Sequence, residues 1–373
     1  MGRPLAGALS TFPKDIVARV KQLREGHPGW GAASVLDELG SEYPLGTVLP
    51  SIDSINRYLK REGLVTKYEP GGVFPKQRCE EPKAAHDLWE LDAQGAVLVS
   101  GVGCQSMINM KDSHTKIHCM GFPVSVRHQM CQASKEHYKW ALRLAFEESG
   151  LPLGIQVDKD SVFYENTTKS PYPTPLHLWL VALGVSMCHI KLPPPQKQAM
   201  VERSHQTLDR QVLMGQHYEN WGQLFKYCNE RRQRLNHKLP NRSLGNKAPC
   251  QVIPQAVHSG RPFSIEQEYD QLDPRRIHEL LANGTWYRKV SSGKMVSIGG
   301  KRYYLKQASP KSQVQITFEP TQHQFIFRNV KELIVGQADP KGISKEELMD
   351  ATTQKLIEKK AKIKKSKNFP FQN

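Results

Sequence analysis

The sequence predicts a multidomain chain: a helical module first, then an α/β domain, a small β-barrel and a basic tail. Three observations predict it. Residues 12–65 place apolar side chains at helical spacing in three short runs. From 85 to 258, strand-like and helix-like patterns alternate, as in an α/β domain. Residues 283–336 break into short alternating segments divided by Ser-Gly, Gly-Gly and Pro turns, which predicts a barrel of about five strands.

The first run starts at Pro13, near a helix N-terminus, with Ile16, Val20 and Leu23 on one face. The second, AASVLDELGSE, carries Val35, Leu36 and Leu39. The third begins at Pro50 and Ser51, with Ser51 as N-cap. Ile52, Ile55 and Leu59 form its buried stripe, Ser51, Asp53, Ser54, Arg57, Lys60 and Arg61 face outward, and Gly63 ends it. Three short helices with a polar, basic third one fit a helix-turn-helix module over 1–65, in which the third enters a DNA groove.

Residues 66–84 are rich in Pro, Gly and charge and read as a linker. In the central domain, 85–258, LWELDAQGAVLVSG, SMINMKDS, HTKIHCMGFPVS and LGIQVD read as strands. SKEHYKWALRLAFEESG and PLHLWLVALGV read as helices, the second closing on Gly184. A second linker, 259–282, precedes the barrel at 283–336. The remainder, 337–373, reads as an electrostatic arm, its end KLIEKKAKIKKSKNFPFQN carrying seven lysines and one glutamate.

Lys and Arg total 52 against 36 Asp and Glu, a formal net charge of +16. An excess of this size points to a polyanionic partner. No run of about 18 apolar residues is present, which argues against a membrane span. The seven cysteines are scattered without a CxxC pair, so neither a zinc ribbon nor a disulfide framework is expected. Unpaired thiols fit a reducing cytoplasm.

Three acids stand out because they lie on different elements. Asp92 shares a strand face with Glu90, opposite Trp89, Leu91 and Ala93. Asp158 ends the strand GIQVD, with Asp160 as the second choice on the same loop, while Asp112 reads as the organiser of a strand end. Glu202 lies in KQAMVERSHQTLDRQVLMG, where Glu202, His205, Gln206 and Asp209 share one helical side. Hard divalent cations take oxygen ligands of this kind and complete their shell with water and phosphate oxygens.

In this order and context, WELDAQG, VDKDSVF and AMVERSHQTLDRQ resemble the DDE-type transposases and integrases, whose core has the RNase H-like, retroviral-integrase-type fold. The segment YRKVSSGKMVSIGGKRYYL resembles the C-terminal domain that follows the core in bacterial insertion-sequence transposases, and 28–65 resembles their helix-turn-helix arms. The resemblance implies that Asp92, Asp158 and Glu202 are catalytic and hold Mg²⁺, with Mn²⁺ as a substitute. Two departures stand against it. Asp158 and Glu202 are 202 − 158 = 44 positions apart, more than the family pattern, the excess falling in YENTTKSPYPTP. A retroviral-type N-terminal zinc finger is missing, since His27 is the one histidine before residue 86 and Cys79 the first cysteine.

The implied function is metal-dependent cleavage and strand transfer of double-stranded DNA at mobile-element ends, by two-metal phosphoryl transfer. Ser51, Ser54 and Arg57 are then expected at base edges. Lys60, Arg61, Lys159, Lys191, Lys197, Arg203 and Arg210 are expected at phosphates. A multimer on DNA, an ATPase helper and a bacterial, nucleoid-associated cytoplasmic setting complete the expectation. The alternatives are an end-binding protein without catalysis and an RNase H-like nuclease.

Overall fold

The computed structural model of the protein describes residues 7–65, 82–168, 170–189 and 205–349. Three helices open the chain: α1 (Lys14–Gly26), α2 (Ala32–Glu42) and α3 (Ile52–Arg61). Ile16, Val20 and Leu23 recur at helical spacing on α1 and are buried. Ser51 caps α3, its hydroxyl accepting the Ser54 amide at 3.2 Å. The stripe of α3 is Ile55, Tyr58 and Leu59, with Ile52 only half-buried. Tyr58 thus takes a core place that the sequence reading gave to Ile52. Gly63, at φ +69°, ends the helix in the left-handed region that glycine enters without strain.

A mixed five-stranded sheet follows, flanked by helices. β1 (Leu88–Val99), β2 (Gly103–Asp112) and β3 (His118–Ser125) form an antiparallel meander. α4 (Lys135–Ser149) then crosses to β4 (Gly154–Val157), which pairs parallel to β1. α5 (Pro175–Ala182) crosses to β5 (Ser186–His189), parallel to β4. The strand order is β3-β2-β1-β4-β5. Pleating sends alternate residues to opposite faces. Trp89, Leu91, Ile108 and Met110 join α4 and α5 in one apolar layer. Val99 and Met107 meet Leu208, Val212, Leu224 and Cys228 in another. These last residues belong to a helical segment, 205–213, and to α6 (Trp221–His237).

The barrel expected at 283–336 is corrected. After α7 (Pro274–Ala282) come six strands: β6 (Thr285–Lys289), β7 (Met295–Ile298), β8 (Lys301–Tyr304), β9 (Gln313–Glu319), β10 (Gln324–Arg328) and β11 (Ile334–Ala338). They form an open four-stranded sheet, β11-β10-β9-β6, and a separate β7–β8 hairpin. The hairpin turns on Gly299 and Gly300, both at positive φ, as a tight two-residue turn requires. Side-chain packing joins it to the larger sheet: a Cβ at Gly336 would stand 2.6 Å from Leu305 Cδ2.

Residues 259–282, expected as a linker, are packed. Phe263, Ile265, Leu272, Ile277 and Leu281 are buried. Glu268 is fully buried and takes two bonds from Arg143, at 2.6 and 2.8 Å, and one from Trp179 Nε1 at 2.7 Å. The start of the expected tail is packed too, with Ile343, Leu348 and Met349 buried and Lys139 Nζ donating to the Leu348 carbonyl at 2.7 Å. Residues 350–373 and the linker residues 66–81 lie outside the described ones. Among the described residues, no helix is long and apolar enough to cross a membrane, and the cysteines are free thiols.

Candidate active site at the β1 and β4 strand ends

The parallel register of β1 and β4 pairs Leu88 with Gly154, Trp89 with Ile155 and Glu90 with Gln156. The offset is 154 − 88 = 66; Asp92 lies two residues beyond this ladder on β1, and Asp158 lies one residue beyond the end of β4. The fold thus brings the first two predicted acids onto neighbouring strands of the sheet. A third side chain reports the convergence. The Tyr138 phenol on α4 is held strongly towards its neutral form by burial and then by the charges of Asp92, Asp160 and Asp158.

Each carboxylate is locally anchored. Asp92 Oδ1 accepts the Ala93 amide at 2.9 Å. Asp158 Oδ1 accepts the Asp160 amide at 2.9 Å, which fixes the turn leaving β4. Burial raises the Asp158 pKa, opposed by that amide and by His189. Removing a carboxylate from water penalises its charged form, and a cation on the same oxygens would relieve that penalty. Asp160 is a turn residue, its side chain accepting from the Val162 amide at 3.0 Å and from the Ser161 hydroxyl at 3.2 Å. Asp112 organises the β2–β3 turn as expected, accepting from Thr115 N, Thr115 Oγ1 and His86 N.

Glu202, with Lys191, Lys197 and Arg203, lies outside the described residues. His205, three positions after Glu202, is described. Its Nε2 stands 4.0 Å from Asp92 Oδ2. Burial pushes the His205 pKa down to about 4, with the Asp92 backbone opposing. The imidazole is therefore neutral near pH 7, and the approach to Asp92 is a polar contact rather than an ion pair. Asp209, one turn on, accepts from Gln94 Nε2 at 2.6 Å, and burial raises its pKa against that bond. Residues 205–208 are α-helical and Asp209–Leu213 continue as a π-helix, a local form common at functional sites.

Lys159, on the Asp158 loop, is exposed, with its Nζ 5.1 Å from the Tyr164 ring centre. Arg210 is exposed on the 205–213 segment. Of the residues expected at DNA on α3, Arg57, Lys60 and Arg61 are exposed, Arg61 lying over Tyr58 and 3.4 Å from Glu62. Ser51 and Ser54 are engaged with each other in the helix cap. The α1–α3 unit and the 205–213 segment share a groove of about 910 Å³, lined by Arg24, Trp30, Asn56, Gln206 and Arg210 among others.

Sequence reading missed Gln94, Asn109 and Tyr138. Gln94 had a readable signal, since it follows Asp92 by two residues and so shares its strand face. Asn109 had none, because its place opposite Asp92 exists only in the register of β1 with β2.

Among the described residues, which omit Glu202, no three His, Cys, Asp or Glu side chains form a metal-holding group. The donor set that is described, two carboxylates on neighbouring strands, suits a hard cation.

No family model matches the chain. Two solved structures of the HTLV-2 integrase catalytic core domain in complex with magnesium are similar to 46% of this chain over 97% of their own. The trimeric form has 12% identity and a TM-score of 0.31, and the dimeric form 11% and 0.32. A simian T-cell lymphotropic virus intasome in complex with PP2A regulatory subunit B56 gamma is similar over 86% of this chain and 100% of that one, at 12% identity and a TM-score of 0.36.

Proposed function

We propose that the chain is a DDE-type polynucleotidyl transferase that cuts double-stranded DNA at the ends of a mobile element and joins them to a target. The observation that supports this reading is the parallel β1–β4 pairing, which puts Asp92 and Asp158 on neighbouring strands, both near enough to Tyr138 to act on its phenol. Asp92, Asp158 and Glu202 would hold the metal. Divalent ions held there would supply activation of the attacking oxygen and stabilisation of the leaving one.

The chain's own residues position the substrate. In the first reaction, water attacks a phosphodiester at the element end and the 3′-oxygen leaves as a hydroxyl. In the second, that hydroxyl attacks a target phosphodiester, a new phosphodiester forms, and the target strand's own 3′-oxygen leaves as a hydroxyl. Lys159 and Arg210, with Lys197 and Arg203, would meet phosphates around the scissile bond, and the +16 charge draws the polyanion in. The first three helices would act as a helix-turn-helix arm, with Arg57 at base edges and Lys60 and Arg61 at phosphates. The hydroxyls of Ser51 and Ser54, already bonded in the cap, would reach bases only by exchanging those bonds. Two ends must be held together before joining, so the working form is a multimer on DNA.

The test incubates the full chain with a labelled duplex from the flank of its own gene, a plasmid target and Mg²⁺, beside Asp158→Asn. Nicked and joined product from the wild type, falling to background in the variant, is the expected result. End binding without cutting, in Mn²⁺ as well and with a candidate ATPase helper added, would leave a DNA-binding protein in place of an enzyme. Activity surviving in Asp158→Asn would remove that residue from the site.

A further inference from the structure

Among the described residues, a set of buried polar atoms near Asp92 has no hydrogen-bond partner: Gln94 Oε1, both amide atoms of Asn109, Asp209 Oδ1 and His205 Nε2. Asn109 is 1% exposed and lies directly opposite Asp92 in the β1–β2 register, so the two side chains leave the same face. Gln94 follows Asp92 on that face and donates to Asp209. The three residues therefore surround one small volume between the sheet and the 205–213 segment. Gly121, paired with Asn109 on β3, keeps the volume open. A Cβ there would stand 3.0 Å from Leu208 Cδ1 and 3.5 Å from Asn109 Oδ1.

A buried amide with neither atom bonded is costly in a fold, and such groups need an explanation. Nearby residues of β2 show what packing alone selects: Met107, Ile108 and Met110 are buried and apolar. Leaving aside His205 Nε2, whose role depends on the tautomer, three of these atoms are acceptors and one, Asn109 Nδ2, is a donor. A dry cavity would want none of them. The surplus of acceptors matches a proton-rich guest. Water bound to a hard cation is one, because Mg²⁺ keeps several of its waters and presents their hydrogens outward.

We infer that Gln94, Asn109 and Asp209 form an acceptor layer that holds the water shell of a divalent cation seated on Asp92. They position the hydrated ion and do not ligate it. Outer-shell partners of this type tune metal affinity. The inference rests on the functional reading above, in that Asp92 is taken as a ligand.

The probe is Mn²⁺ alone, added to the full chain without DNA and followed by calorimetry and by the electron-spin signal of free Mn²⁺. Wild type is compared with Asp92→Asn, Asn109→Leu, Asn109→Asp and Gln94→Met. The expected result is loss of binding in Asp92→Asn and a roughly 10- to 100-fold weakening in Asn109→Leu and Gln94→Met. Asn109→Asp, which restores an acceptor, keeps binding within a few-fold of wild type. Unchanged Mn²⁺ affinity in a folded Asn109→Leu or Gln94→Met overturns the inference while leaving Asp92 as a ligand. Gln94 is half-exposed, so its variant keeps the test alive if the Asn109 variants do not fold. Binding that is absent in wild type, or unaffected by Asp92→Asn, overturns the functional reading and the inference with it.

Discussion

The two flanks of the central sheet are attached by different physics. On the C-terminal side, one apolar cluster runs without a break from Trp89 in β1 through Tyr172 and Trp286 to Phe325, Ile343 and Met349. Trp286 on β6 packs edge-on to Tyr172 at 5.1 Å and donates to the Pro171 carbonyl at 3.0 Å. On the N-terminal side, α1–α3 have their own cluster, built around Val20, Val35 and Ile55. Their seam with the core is largely polar. Trp30 Nε1 donates to the Gln211 carbonyl at 3.3 Å, Ser34 exchanges bonds with the Gln211 side chain, and Arg231 lies over the Trp30 ring at 4.5 Å. Arg234 spans Asp37 and Glu38 at 2.5 and 3.0 Å. An apolar seam loses stability in proportion to the surface re-exposed, whereas polar seams exchange their bonds for water at modest net cost. The C-terminal sheets thus belong to the core's cooperative unit, and the N-terminal helices are a module that can lift off.

Three substitutions sharpen or break this contrast. The largest effect is expected for Trp286→Ala, which removes a nearly buried indole. Global stability should fall by about 3–5 kcal/mol, and the central and C-terminal sheets should melt together. Two separate calorimetric transitions would break the comparison. Next comes Gly29→Ala. A Cβ there would stand 1.9 Å from the Arg210 carbonyl oxygen, so the seam must open. The expected cost is about 1–3 kcal/mol, confined to hydrogen exchange and proteolysis of 7–65 and 205–213. Exchange rising equally in the core strands would show that the module is not separable. Arg234→Leu should do least. Its ion pairs are partly exposed, so about 1 kcal/mol or less is expected, and less again at high salt. A salt-insensitive loss would point to the packing of the arginine stem instead.

Much of this was legible in the sequence, because the informative residues act locally. The β1 to β4 strands, α1, α2, α4, the Ser51 cap and the Gly63 stop each follow from spacing or from a residue's own backbone preference. Asp92 and Asp158 stood out for the same reason, Asp92 as an acid on the polar face of a strand and Asp158 as one at a strand end. What the sequence hid was set by partners far away in the chain. β5, Ser186–His189, is too short and too mixed for alternation to reveal. The segment around Glu268 looked like a polar linker because its counter-charge, Arg143, lies 268 − 143 = 125 positions earlier. The barrel failed to close because β7–β8 attaches by side-chain packing, and turn residues do not encode that. Asn109 gave no signal at all, since an isolated asparagine in a strand becomes informative only once its neighbours are known to leave it unbonded.

The 66-residue offset between β1 and β4 also says when the site comes into being. The β1–β2 hairpin closes over residues 100–102 alone, within reach of a chain still being made. Pairing Asp92 with Asp158 means closing a loop of 158 − 92 = 66 positions, which costs about 2 kcal/mol more in chain entropy. Contacts of such long range form late. A chain emerging from the ribosome carries Asp92 on a finished hairpin well before Asp158 is available beside it. The two acids therefore come onto neighbouring strands only after the hairpin is made, once β4 has paired with β1.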